Sequence, residues 1–202
     1  MRELLMGHPR DVAPLLLGAT IQSRIDGQQV AIRLTEVEAY GGVGEDPGSH
    51  AYRRQTPRNA TMFGPGGRAY VYFTYGMHWC LNVVTGPADV AGAVLLRGGE
   101  VIDGESVAMQ RRGPKSTRRD LARGPARLST ALGVTGELDG VDLLLPRSPL
   151  RLVLAESPAA EVMSSARTGV AGAGAATPWR FYLADEPTVS PYRPAKERSA
   201  RM

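Results

Sequence analysis

A two-residue alternation of apolar and polar positions dominates the chain. From Gln28 to Tyr40, Val30, Ile32 and Leu34 share one face of an extended segment, while Arg33 and Thr35 share the other. The same period runs through 69–74 and 77–85, and Tyr75-Gly76 between them predicts a two-residue hairpin turn. Residues 92–102 read as one or two further strands, followed by VDLLLP at 141–146, LRLVLAE at 150–156 and WRFYLA at 179–184. Helical signals are fewer. Residues 10–21 predict a short helix with Asp11 as N-cap and Gly18 near its end, and GPARLSTALGV predicts another that stops at Gly133. No repeat, linker or βαβ alternation appears. The expectation is α+β, one domain over 1–202, with mostly antiparallel strands and a protruding hairpin.

Two segments interrupt this pattern. Residues 41–67 form a long loop rich in Gly, Pro and polar residues, and loops of that length in a compact domain are often functional. TGVAGAGAATP, 168–178, is small in composition and predicts a surface loop.

Composition narrows the class. Apolar residues make up 43% of the chain and charged residues 22%, enough for a core and against wholesale disorder. The apolar run from Ala13 to Ile21 is broken by Pro14 and Gly18, so no signal peptide is read there, and a soluble cytoplasmic protein without membrane contact is expected. Cys80 is the single cysteine and lies in a strand-like apolar run, where a buried small residue is expected rather than a nucleophile. His8, His50 and His78 lack ligand spacing, so no metal site is expected. The net charge is +4, and its placement is more telling than its size. Arg111, Arg112, Lys115, Arg118, Arg119, Arg123 and Arg127 cluster against Asp120. Arg53, Arg54, Arg58 and Arg68 precede the hairpin, and residues 190–202 read as a flexible basic tail. Basic groups around an aromatic hairpin suit phosphate contacts.

Candidate chemistry lies on the 28–40 strand. Its parity places Glu36, Glu38 and Tyr40 beside Val30, Ile32 and Leu34, so two carboxylates would face the core unless a bulge turns them to solvent. One carboxylate could activate water, and a pair could serve glycoside hydrolysis. On the hairpin, Tyr75 at the tip could pack back or act as a wedge between base steps, and Tyr72 could line a pocket on the opposite face and stack on a base.

The block TEVEAYGGVGEDPGSHAYRRQTPRNATMFGPGGRAYVYFTYGMHWCLNVV, with AGAVLLRGGE after it, resembles the methylpurine (alkyladenine, 3-methyladenine) DNA glycosylase family. LLGATI, ARGPARLSTALGV and PWRFY extend the similarity over most of the chain. The resemblance implies a single domain around a curved, mostly antiparallel sheet with flanking helices, acting on double-stranded DNA as a monomer, with no cofactor. It implies a general base at Glu38, an arginine at Arg97 that helps hold Glu38 and the water, and stacking aromatics at Tyr40 and Tyr72. His50 would contact the flipped base, Asn82 would exclude guanine, and Tyr75 would fill the gap left in the duplex. Arg54, Arg58, Met62 and Arg68 would meet the DNA backbone. The reaction so implied is flipping of an alkylated or deaminated purine and hydrolysis of its N-glycosidic bond by a Glu38-activated water, leaving an abasic site in base excision repair. Lys115 and Lys196 are the only lysines and lie outside this block, which favours a monofunctional route over a Schiff-base lyase. Two departures from the family pattern are the Gly/Ala-rich 168–178 segment and His78, where an aromatic often stands beside the wedge. The rival readings are a non-catalytic binder of damaged or bent DNA, and a small-molecule glycoside hydrolase using Glu36 and Glu38.

Overall fold

The computed structural model describes residues 1–157 and 161–195. Its frame is one nine-stranded antiparallel sheet with few helices, an α+β single domain as expected. The strands are β1 (Thr20–Ile25), β2 (Gln28–Tyr40), β3 (Ala69–Thr74), β4 (His78–Val84), β5 (Ala93–Asp103), β6 (Ala122–Arg123), β7 (Leu150–Val153), β8 (Val162–Ser165) and β9 (Arg180–Leu183). The main path runs β3-β4-β5-β2-β1-β7, with β6 on β5 and β8 on β9. β5 lies along most of β2, while β1 pairs with its first half and β9 with Glu36, Val37 and Glu38. β2 is therefore the strand from which the sheet divides.

Helices α1 (Arg2–Leu5), α2 (Pro9–Val12), α3 (Glu105–Arg112) and α4 (Pro125–Leu132) flank the sheet. α4 ends at Gly133, whose φ of 74° suits a left-handed C-cap. The helix expected over 10–21 is only a short turn, α2 continued by a 3-10 turn over Ala13–Leu16, with His8 as its N-cap in place of Asp11. The segment then turns at Gly18 (φ 82°) and becomes β1. Leu16, Leu17 and Ile21 are all buried, and a packed strand after the glycine won over helical continuation. Of the strand expected over 141–146 only an isolated bridge from Asp142 to Arg68 forms, followed by turns and a bend, and β8 was not foreseen. The expected flexible tail begins differently as well. Ser190 is buried and the Arg193 carbonyl accepts a bond from the Gly169 amide, whereas 196–202 lie outside the described residues. Among the described residues no helix is long and apolar enough to cross a membrane.

The core collects Val30, Ile32 and Leu34 of β2, and then Val37 and Ala39 of the same strand. Even positions face inward at first and odd positions afterwards. The register shows why: Leu34 pairs with Gly99 and Glu36 with Gly98, so Thr35 is an extra residue on β2. Glu36 pairs with Gly98 and Val37 with Leu96, so Arg97 is an extra residue on β5. These two bulges reverse the facing of both strands at one level. Parity from the sequence placed Glu36 and Glu38 on the core side; they lie on the other face. The bulge does not turn them to solvent either, since both are fully buried under the segments around 165–170 and 180–190.

The pairing beside the bulges is close. A Cβ on Gly99 would collide with an Ile32 methyl and the Arg33 carbonyl. Gly99→Ala is therefore expected to destabilise the fold by about 1–3 kcal/mol, the usual scale for overpacking. Chemical denaturation would read this, and an unchanged midpoint would show that the pairing relaxes freely.

Candidate active site

On the face opposite the core, a cavity of about 420 Å³ opens beneath the β3–β4 hairpin. Strand alternation supplies much of its lining. Tyr70 and Tyr72 of β3, Cys80 and Asn82 of β4, and Leu95 and Arg97 of β5 all face it, while Val71, Leu81, Val83, Val94 and Leu96 face the core. The 47–50 part of the long loop, the N-terminus of α4 and residues 168–171 complete the walls. The Gly/Ala-rich segment is thus a cavity wall as well as a surface loop.

Behind this cavity lies a cluster of paired charges. Glu36 Oε1 accepts from Arg97 Nε (2.9 Å), Arg180 Nε (2.7 Å) and the Ser190 hydroxyl (2.9 Å), and its Oε2 accepts from the Ser190 amide (2.7 Å). Glu38 Oε2 accepts from the Tyr40 hydroxyl (2.8 Å) and Arg97 (3.2 Å), and its Oε1 accepts from the Thr168 amide (2.6 Å). A carboxylate offers about four acceptor sites. Glu36 meets four donors. Glu38 meets three, and each of them (Tyr40, Arg97, Thr168) lines the cavity. The arrangement makes Glu36 a structural counter-ion and leaves acceptor capacity on Glu38. The reading of both as a glycosidase pair loses its second member.

The electrostatics follow from burial and pairing. Burial pushes the Glu36 carboxyl up, but Arg97 and Arg180 outweigh it and hold it below its ordinary value. Burial opposes the charge on Arg97, yet Glu38 and Glu36 raise it well above the usual range. Tyr40 is raised far above an ordinary phenol by burial and then by Glu38, so its hydroxyl stays protonated and donates. Tyr70 and Tyr72 are raised chiefly by burial. Burial also raises the Cys80 thiol, consistent with the apolar role expected for it.

The hairpin closes through three residues rather than two, because Thr74 pairs with His78. Tyr75 (φ 52°) and Gly76 (φ 65°) are both left-handed, and the Met77 amide bonds the Thr74 carbonyl at 3.1 Å. Tyr75 stands 86% exposed on the cavity rim and does not fold back. His78 is exposed beside it.

The remaining expected residues divide into two groups. His50 sits at the mouth, with Nδ1 3.0 Å from the Tyr70 hydroxyl and its ring edge-on to Tyr72 at 4.6 Å. Partial burial and then Arg58 lower its pKa, which favours the neutral imidazole. Asn82 is buried, and its Nδ2 donates to the Tyr70 carbonyl at 2.9 Å. Arg58 lies 5.8 Å from the Tyr72 ring and donates to the Phe73 carbonyl, and Arg54 is exposed nearby. Met62 departs from its expected part. It is 2% exposed in the cavity wall and its amide bonds Asn59, so neither group is free for a phosphate. Arg68 does not line the cavity, and its guanidinium donates to the Gly140 carbonyl.

Four residues of the site escaped the sequence reading: Arg180, Ser190, Asp46 and Arg167. Arg180 and Ser190 hold Glu36. Asp46 and Arg167 form a buried bidentate pair, both bonds 2.6 Å, against the Tyr40 ring. One signal was available: no charged residue lies between Arg167 and Arg180, so each stands alone in an apolar or small-residue setting.

The chain that builds this cavity is an enzyme, a DNA glycosylase, as its similarity to known proteins shows. The model of the family described as methylpurine-DNA glycosylase (MPG) matches residues 3–187, and the chain belongs to that family of DNA-repair enzymes. Relatives provisionally named 3-methyladenine DNA glycosylase are similar along nearly the whole chain. The one from Leifsonia xyli is 52% identical over 95% of this chain and 92% of its own length. The relative from Streptomyces avermitilis is 49% identical over 99% and 94%, and that from Nocardia farcinica 52% over 95% and 90%.

Glu36 also carries a pH dependence. Its folded pKa is depressed, so the stability it contributes is present above its ordinary value of 4.5 and is lost as pH falls through the folded value. Glu36→Gln should cost about 3–5 kcal/mol at pH 7, because Arg97 and Arg180 lose a shared counter-ion. Urea unfolding of the wild type and variant should show the gap narrowing below pH 4.5; a gap constant across that range would contradict the assignment.

Proposed function

We propose that the protein flips an alkylated or deaminated purine out of duplex DNA and hydrolyses its N-glycosidic bond with a water activated by Glu38, leaving an abasic site. The observation that carries this reading is Glu38 itself, fully buried behind an aromatic cavity and bonded only to residues that line it. A purine must leave the stack before its glycosidic bond is accessible, at a cost of a few kcal/mol. Tyr75, projecting from the tip, offsets that cost by occupying the gap in the duplex. Tyr40 and Tyr72 then stack on the extruded base at about 1–3 kcal/mol per base, and a cationic methylpurine gains further over their faces.

Catalysis divides between two charges. Glu38 takes a proton from water aimed at C1′ of the sugar, using the acceptor site that its three donors leave open. Arg97, fixed by Glu36, holds Glu38 in place through its own hydrogen bond. Asn82 cannot swing away while its Nδ2 holds the Tyr70 carbonyl, so its bulk opposes a purine with an extra exocyclic amine. Arg58, beside the hairpin, and Arg54, exposed in the same loop, meet phosphates. The 3-methyladenine named for the relatives is one expected substrate, and the enzyme works as a monomer in the cytoplasm on chromosomal DNA.

Two variants test the roles separately. Glu38→Gln should lower single-turnover release of methylpurine or hypoxanthine by about 10²–10⁴-fold, the usual worth of a general base, while duplex affinity is retained. Retained turnover would refute Glu38 as the base and favour a lesion binder. Tyr75→Ala should slow release about tenfold or more through lost stacking, and a rate equal to wild type would refute the wedge.

A further inference from the structure

Arg167 is fully buried, yet it does not line the cavity. Its guanidinium makes a two-bond fork to Asp46 and donates to the Ala39 carbonyl at 2.8 Å. It lies 4.7 Å from the centre of the Tyr40 ring and 5.4 Å from that of Trp179. Asp46 also accepts the amides of Gly41 and Gly48, and the fork leaves no room for a side chain at Gly48, where a Cβ would fall 2.7 Å from the guanidinium. One residue further on, the Thr168 amide holds Glu38. A single cation thus touches the strand end that carries Tyr40, the loop that leads to His50, and the segment that restrains Glu38.

We infer that Arg167, paired with Asp46, is a positioning residue that sets the Tyr40 ring and the Thr168 amide in one mutual geometry, so that the stacked purine and Glu38 meet correctly. The inference rests on the glycosylase reading above. Arg167 stands against the Tyr40 ring without itself lining the cavity, whereas Tyr40 does line it. Tyr40 is then held at both ends, by its hydroxyl on Glu38 and by the guanidinium against its ring. Burial of this ion pair is costly, and packing alone could be met by an apolar side chain of similar volume. The planar fork supplies direction, which an apolar group or a lysine lacks. The wall that Arg167 anchors runs on into residues 168–178, which contain no other charge.

The test uses the full chain with Arg167→Lys, Arg167→Met and Asp46→Asn, each checked for folding by thermal melting. Single-turnover release is measured against enzyme concentration on duplexes containing hypoxanthine or ethenoadenine, with ethenoadenine fluorescence reporting how the base stacks. The saturating rate should fall on the order of 10²-fold for Arg167→Met, as for an ångström-scale misplacement, and less for Arg167→Lys. The half-saturating concentration should move by less than about threefold, because duplex contacts lie elsewhere. The fluorescence of bound ethenoadenine should shift in the same order. A folded variant of Arg167 with the wild-type saturating rate and fluorescence would overturn the inference, as would failure of all three variants to fold, which would make the pair a stability element. Wild type inactive on every duplex would instead overturn the glycosylase reading, while wild type active and Glu38→Gln inactive preserves it whatever Arg167 does.

Discussion

Side chains on a strand alternate with a period of two, so an unbroken strand cannot send Val30, Ile32 and Leu34 to the core and Glu36 and Glu38 away from it. The bulges at Thr35 and Arg97 resolve that conflict, and the site depends on them. Without the shift, two carboxylates would enter the layer now filled by Val37 and Ala39. An unpaired ion there costs several kcal/mol, enough to consume much of a domain's stability. With it, β2 serves the core along its first half and a charge cluster along its second, and the extra residue on β5 is the arginine that both carboxylates share.

That cluster is balanced. Glu36 and Glu38 face Arg97 and Arg180, so no net charge is buried, and the hydrogen bonds decide what each acid can do. Glu36 is anchored by four donors, whereas Glu38 meets three, all of them at the cavity wall. Residues two apart on one strand have diverged in role because different segments cover them. Ser190 caps Glu36 from the end of the described chain, and Thr168 reaches Glu38 with one amide. The described residues of the C-terminal quarter contain few regular elements, yet they supply Ser190, Arg180 and Thr168 and so set how many donors each glutamate meets.

The strands β2 to β5 and the helix ending at Gly133 were legible because alternation and a glycine stop are local signals. The charge cluster was legible only as a question. Parity detected that carboxylates sat in an apolar strand, but a bulge is a property of two strands, and nothing near Thr35 announces its partner at Arg97. The Asp46–Arg167 pair spans 121 positions, and Glu36–Ser190 spans 154, distances over which no periodicity speaks. The segment at 10–21 failed for a related reason. Its apolar residues suit a helix and a strand equally, and only packing beyond Gly18 selects the strand. The motif block, by contrast, placed Tyr40, His50, Tyr72, Asn82 and Arg97 around what proves to be one cavity, with Glu38 directly behind it.

The hairpin tip departs from the economy of the rest. Among the described residues four non-glycine positions have positive φ, and three are aspartates, a residue that tolerates the left-handed region through local hydrogen bonding. The fourth is Tyr75, which has no such compensation and carries a strain of about 1–2 kcal/mol. It also leaves its ring in water, 86% exposed, where burial would have been worth more. Asparagine or aspartate before Gly76 would close this hairpin at lower cost. Neither local propensity nor packing therefore accounts for a tyrosine there. The free protein is stabilised by its balanced charges and by the core beneath them, and that stability carries a tip whose tyrosine is both left-handed in backbone and exposed.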